Sequence, residues 1–253
     1  MPLTSTPRPA LAPISTPRPR ILRPRPPEGD PVPIGPLSLP ARLCLLAWDT
    51  SKLKVTGSSQ LPHLVRAGAL TELAQRGLLA DADGVATPTD PDGRTGDAAL
   101  DGLLELIEES RPHKWKTWVS LRARITLDAV QAQLAADGYL RAEKTRVLGV
   151  FPSVEYEIGR VAVVEGLRAE ARQVLEGPVP VDAVSERDAA LVALAAAAEL
   201  RTLVSGRERR QYDERIAALT DRSGTAIPVL RQAVQEVRSA VSVAMAAPGV
   251  PGN

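Results

Sequence analysis

The chain has 253 residues, 44% of them hydrophobic, and a formal net charge of +1; this supports a sizeable core and lacks the basic excess that nucleic acid selects. A single cysteine, Cys44, excludes an internal disulfide framework and fits a reducing compartment, and with only two histidines beside it no His/Cys metal site can form within one chain. No run reaches the roughly 18 to 20 apolar residues of a spanning helix and no apolar signal segment opens the sequence, so a cytoplasmic protein with only peripheral membrane contact is expected.

Residues 1–38 read as a separate, disordered basic tail. More than half of the 23 prolines fall before residue 41, with Arg8, Arg18, Arg20, Arg23 and Arg25 facing only Glu28 and Asp30. Ser-Thr-Pro-Arg-Pro occurs at 5–9 and again at 15–19. Proline fixes φ and removes a backbone donor, so such a segment stays out of helices and sheet interiors and leans toward polyproline II. Residues 248–253 read as a disordered C-terminus, which leaves 39–247 as the folded domain.

The first folded element is an apolar helix over Leu39–Trp48, with Ser38 as N-cap and Pro40 in its first turn. A second helix covers Leu61–Arg76 and stops at Gly77. Asp81–Asp97 is rich in Asp, Gly, Pro and Thr and reads as a polar loop, followed by a helix over Ala98–Glu109. Trp115, Trp118, Val119 and Leu121 open another helical stretch, which Leu127–Ala136 continues to a stop at Gly138. Val147–Ile158 alternates Val154, Tyr156 and Ile158 with Glu155 and Glu157 and breaks at Phe151-Pro152-Ser153, the pattern of a hairpin. Val161–Leu175 is amphipathic; Ser185 and Asp188 start a helix to Val204 whose centre is apolar all round, as in a buried core helix. A charged segment, Arg207–Leu219, and a last amphipathic helix, Ile227–Met245, complete a mainly α fold with one projecting β-hairpin.

The residue types that carry chemistry are sparse. No Gly-rich phosphate loop, nucleophile elbow or His-Glu-x-x-His helix is present. Asp90, Asp92, Gly93 and Asp97 suggest a calcium loop, but the glycine comes two places early and Asp101 stands where the bidentate Glu belongs. Asp97 and Asp101, one turn apart, suit the positive end of a helix better than an acid–base pair, and His63 and His113 have no adjacent catalytic partner. No enzyme, metal or cofactor is expected. The helix–glycine–extended pattern occurs twice and raises a winged-helix DNA-binding regulator as the alternative. The helix before the hairpin carries Asp128 and Asp137 and no basic residue between them, the wrong sign for phosphates.

Several blocks, in order, resemble the Golgi phosphoprotein 3 family of phosphoinositide-binding adaptors. They are Leu39-Pro40-Ala41-Arg42-Leu43-Cys44-Leu45-Leu46, then Arg66-Ala67-Gly68-Ala69-Leu70-Thr71-Glu72-Leu73-Ala74-Gln75-Arg76-Gly77, then Thr95-Gly96-Asp97 with Leu100-Asp101. Trp118-Val119, the helix ending at Gly138, Glu143-Lys144 before the hairpin and the two late helices follow.

The resemblance implies a mostly helical domain without enzymatic activity, peripheral on the cytoplasmic side of a membrane. It implies a shallow basic pocket for phosphatidylinositol 4-phosphate or a similar headgroup, and binding of cytoplasmic tails of membrane proteins. Arg66 and Arg124 match two pocket arginines of the family and are expected to converge on one surface pocket; Arg122, Lys52 and Lys54 are nearby candidates for further charge. The family's next basic position falls on Leu127 and its exposed tryptophan near Gly57. The hairpin, with Val150, Phe151, Val154 and Tyr156, is expected to associate subunits into a homo-oligomer. Anionic phospholipid is the expected partner, and nucleic acid is not.

Overall fold

The computed structural model describes residues 37–147, 151–204, 206–222 and 227–246. The expected tail falls almost wholly outside them, as do Val150 and the C-terminal residues from 247. Leu37 and Ser38, assigned to the tail by composition, pack on the domain: Leu37 lies against the core and Ser38 is buried.

The helices are α1 (Leu39–Leu46), α2 (Leu61–Gln75), α3 (Ala98–Glu108), α4 (Trp115–Ser120), α5 (Ala123–Ala136), α6 (Val161–Glu176), α7 (Glu186–Ala197), α8 (Gly206–Gln211), α9 (Asp213–Asp221) and α10 (Ile227–Ala246). Between them lie three antiparallel hairpins: β1 (Trp48–Asp49) with β2 (Lys54–Val55), β3 (Leu79–Ala82) with β4 (Val85–Pro88), and β5 (Leu140–Val147) with β6 (Phe151–Ile158). The fold is mainly helical, as the periodicity implies.

Helix α2 is the hub, touching α1, α3, α4, α5, α7 and α10. Its leucines, Leu61, Leu64, Leu70 and Leu73, are at most 2% exposed, and each such burial contributes about 1.5–3 kcal/mol. Ala67, Gly68 and Ala69 keep its centre thin. At Gly68 a Cβ would come within 2.5 Å of the Leu43 side chain, so α1 crosses in close contact there. Helix α7 is likewise buried on every side from Ala189 to Ala197, with alanine again permitting close neighbours.

Local signals explain many of the boundaries. Asp97 caps α3, its side chain accepting the amides of Ala99 and Leu100. Ser185 caps α7 by accepting the Asp188 amide. Helix α1 is capped from outside: Ser38 occupies the N-cap position without a side-chain cap bond, and the Leu39 amide donates to Glu72 of α2. Helices α2 and α5 end alike, with Gly77 (φ +73°) and Gly138 (φ +74°) turning left-handed. The amides of Leu78 and Tyr139 then close back on Leu73 and Leu134.

Three expectations are corrected. The stretch expected as polar loop begins with the β3–β4 hairpin, turned at Asp83-Gly84 with φ of +52° and +81°; Asp-Gly is a strong type I′ signal, masked by its polar surroundings. The residues after α1 form the β1–β2 hairpin rather than the end of a longer helix. The long hairpin starts at Leu140, and Phe151-Pro152-Ser153 pair with Val147, Arg146 and Thr145 instead of forming the turn. A two-stranded ribbon has only edge strands, so Pro152 fits where its missing donor faces outward. Along β6, Ile158 is buried, Tyr156 half-buried and Val154 49% exposed, so the ribbon leaves the core as it lengthens.

Candidate functional site

Arg66 lies on α2, the helix buried all round, and is 0% exposed. It is therefore not a surface residue. Its Nη2 donates to the carbonyl of Arg122 at 2.8 Å, while Nε and Nη1 are buried without a hydrogen-bond partner. Burial pushes its pKa down to about 10, which still leaves the guanidinium charged at neutral pH.

Arg122 is the N-cap of α5 and holds a left-handed conformation at φ +51°, with no side-chain cap. Its carbonyl takes both the Arg66 donor and the Ile125 amide. Helix α5 thus starts with unsatisfied amides and the positive end of its dipole, with a buried guanidinium charge beside its first carbonyl. Arg124, in the first turn, is exposed and pairs with Asp128 at 2.9 Å. Leu127, on which the resemblance placed a further basic position, faces the core at 2% exposure and offers nothing to a headgroup.

The structure brings Arg66, Arg122 and Arg124 to the start of α5, one charge beneath the surface and two nearer it. It does not bring Lys54 to them; Lys54 is exposed on β2 and makes no recorded contact with these arginines among the described residues. Sequence reasoning missed two exposed apolar side chains: Ile125 at 55%, beside Arg124, and Leu53 at 56%, on the β1–β2 turn between Lys52 and Lys54. Leu53 holds φ +52°, a conformation branched and bulky residues avoid.

Of the hairpin residues, Val154 and Tyr156 are placed as above; the Phe151 side chain and all of Val150 lie outside the described residues. Asp97 and Asp101 build the turn into α3. Asp101 accepts from Thr95 and the Gly96 amide, and Asp97 also takes a donor from Gln133 of α5. His113 meets the Trp118 ring edge-on at 5.3 Å, and His63 is half-buried with its pKa lowered by burial. No helix among the described residues is long and apolar enough to cross a membrane.

The family model described as Golgi phosphoprotein 3 (GPP34) matches residues 39–237, most of the chain. None of the curated proteins compared with the chain matches it.

Proposed function

Because the chain belongs to the Golgi phosphoprotein 3 family, we propose that it is a non-enzymatic peripheral membrane adaptor that holds a phosphoinositide headgroup, of the phosphatidylinositol 4-phosphate kind, at the start of α5. The reading rests on one observation: a buried guanidinium with two unused donors beneath an uncapped helix N-terminus. A phosphate there meets free amides and the helix dipole. Arg122 and Arg124 offer charge-assisted hydrogen bonds of roughly 1.5–3 kcal/mol each. Arg66 contributes without touching the ligand, because a charge shielded from water acts at longer range than a surface one.

Two or three such contacts leave only weak binding once association costs are met. The apolar side chains of Leu53 and Ile125, with Lys52 and Lys54 flanking Leu53, supply further attraction to an anionic bilayer by partition and by charge. Self-association through the β5–β6 ribbon raises avidity, and cytoplasmic tails of membrane proteins are the proposed cargo. The DNA-binding alternative is disfavoured by burial: α2, the helix of the first helix–hairpin unit, has no free face to enter a groove.

Co-sedimentation compares vesicles doped with phosphatidylinositol 4-phosphate against phosphatidylserine vesicles of matched charge. Binding is expected to favour the former, and Arg122→Ala with Arg124→Ala to weaken it at least about tenfold. Equal binding to both vesicles defeats phosphoinositide recognition, and an unaffected double variant removes the site from α5. The ribbon is tested by Val154→Lys with Tyr156→Lys. Light scattering should show a lower mass with the melting temperature nearly unchanged; an unchanged mass removes the hairpin from assembly.

A further inference from the structure

A second polar site lies elsewhere on the domain. Residues 49–60, α6 and the turn after α7 enclose a cleft of about 630 Å³, lined by Asp49, Lys52, Gln60, Arg168, Glu199 and Arg201 among others. That volume is in the range that takes a small molecule. None of these residues belongs to the start of α5.

The cleft is built rather than incidental. Arg168 ties its walls together, donating to the Trp48 carbonyl at 2.7 Å and to Thr50 and Glu165, while its own Nε is buried without a partner. Gln60 reaches the Ala198 carbonyl across the cleft, and the Thr202 hydroxyl donates to the Leu46 carbonyl. Helix α7 ends in the same motif as α2 and α5, the amides of Glu199 and Leu200 donating to the carbonyls of Ala196 and Ala195. Where those helices place glycine, this one places Glu199 at φ +50°. A left-handed non-glycine residue is tolerated at a cost, and such costs concentrate where a side chain has a task.

The charges in the cleft are of both signs and are incompletely used. Arg201 is exposed and has no ion pair among the described residues. Lys52 meets Asp49 only at 3.4 Å and its side chain is 75% exposed. Hydrogen bonds, led by that from the Ser51 side chain, hold the Asp49 carboxyl down at about 2, so it is ionised and accepts only. Glu199 pairs with Arg209 at 3.1 Å through one oxygen, leaving the other to accept. One unpaired guanidinium and one loosely paired ammonium beside two carboxylate acceptors suit a ligand with a phosphate at one end and hydroxyl donors at the other.

We propose that this cleft is a second binding site, for a phosphorylated polyol, with Arg201 and Lys52 on the phosphate and Asp49 and Glu199 on the hydroxyls. Arg168 is a positioning residue that fixes the β1–β2 hairpin over the site. The same chemistry is carried by a soluble sugar or inositol phosphate and by an inositol-lipid headgroup.

The test titrates inositol monophosphate into the isotope-labelled full chain and follows backbone amides by NMR. Gly57, Gln60 and Thr202 are expected to shift saturably, and less with inositol alone or inorganic phosphate alone. Lys52→Ala with Arg201→Ala, both exposed and harmless to packing, should weaken binding at least about tenfold. Arg201→Lys should recover part of it, since the charge returns without the planar fork. Still cleft amides, or shifts unaltered in the double variant, overturn the proposal. Shifts confined to Ala123 and Ile125 overturn the cleft while leaving the α5 reading intact; shifts confined to the cleft do the reverse. Vesicle binding lost with Arg201→Ala alone, which spares the Lys52 charge assigned to the bilayer, identifies the lipid source, and vesicle binding retained while soluble binding is lost identifies the free phosphate.

Discussion

Glu72→Ala should destabilise the protein by about 2–3 kcal/mol, the cost of leaving the Leu39 amide without its buried acceptor and two partly exposed guanidinium groups without their shared partner. Glu72 is 3% exposed. One carboxylate oxygen takes the Leu39 amide, and the other takes Arg76 at 2.6 Å and Arg187 at 3.3 Å. Arg187 in turn donates to the Leu37 carbonyl. The side chain thus caps α1, braces the end of its own helix and pins α7, joining three helices at the start of α1. A melting temperature lower by on the order of 10 °C is expected in thermal unfolding. Glu72→Gln should lie between, because its amide oxygen still accepts from Leu39 while the ion pairs are lost. A change within about 0.5 kcal/mol, typical of surface positions, would show that the three helices do not depend on it.

Arg66→Met should act in the opposite direction on stability and remove anion binding at the start of α5. The guanidinium is buried, and its pKa of about 10 means that folding works against its charged form. The group is depressed below its unfolded value, so at neutral pH it is charged in both states and weakens the fold. That penalty is roughly 3 kcal/mol and is relieved only as pH rises past 10 toward the ordinary guanidinium value. Methionine has similar length and no charge to desolvate, so the variant should melt several degrees higher than the wild type. In a Lys52→Ala, Arg201→Ala background, which removes the cleft site, sulfate or inositol phosphate should still raise the melting temperature by mass action, and adding Arg66→Met should abolish that rise. An Arg66→Met variant that melts lower, or that still responds to anions in that background, would mean that Arg66 serves packing alone.

The helices were legible because their signals are local. Gly77 and Gly138 mark the ends of α2 and α5, and Ser185 with Asp188 marks the start of α7. Two of the hairpins and the first strand of the third went unread for a physical reason. Strands β1 to β4 are too short for apolar alternation to announce them, and polar residues such as Arg141 and Glu143 mask it in β5; in β6 the alternation of Val154, Tyr156 and Ile158 with Glu155 and Glu157 was legible. Register in the long ribbon followed the contact at its root, where Leu140 opposes Ile158, rather than the proline that looked like a turn.

What the sequence determined by itself is the helical class, most helix ends and, through ordered blocks of residues, family membership. The burial of Arg66 was decided only by tertiary structure, because a basic residue is exposed by default and α2 is surrounded by six other helices. The meeting of Arg66 with Arg122 joins positions 56 apart, and the polar cleft joins residues 49–60 to Arg168 and to 199–202. No local period encodes such contacts. They arise when whole helices bury their apolar faces together and the chemistry-bearing side chains are carried to the seams between them.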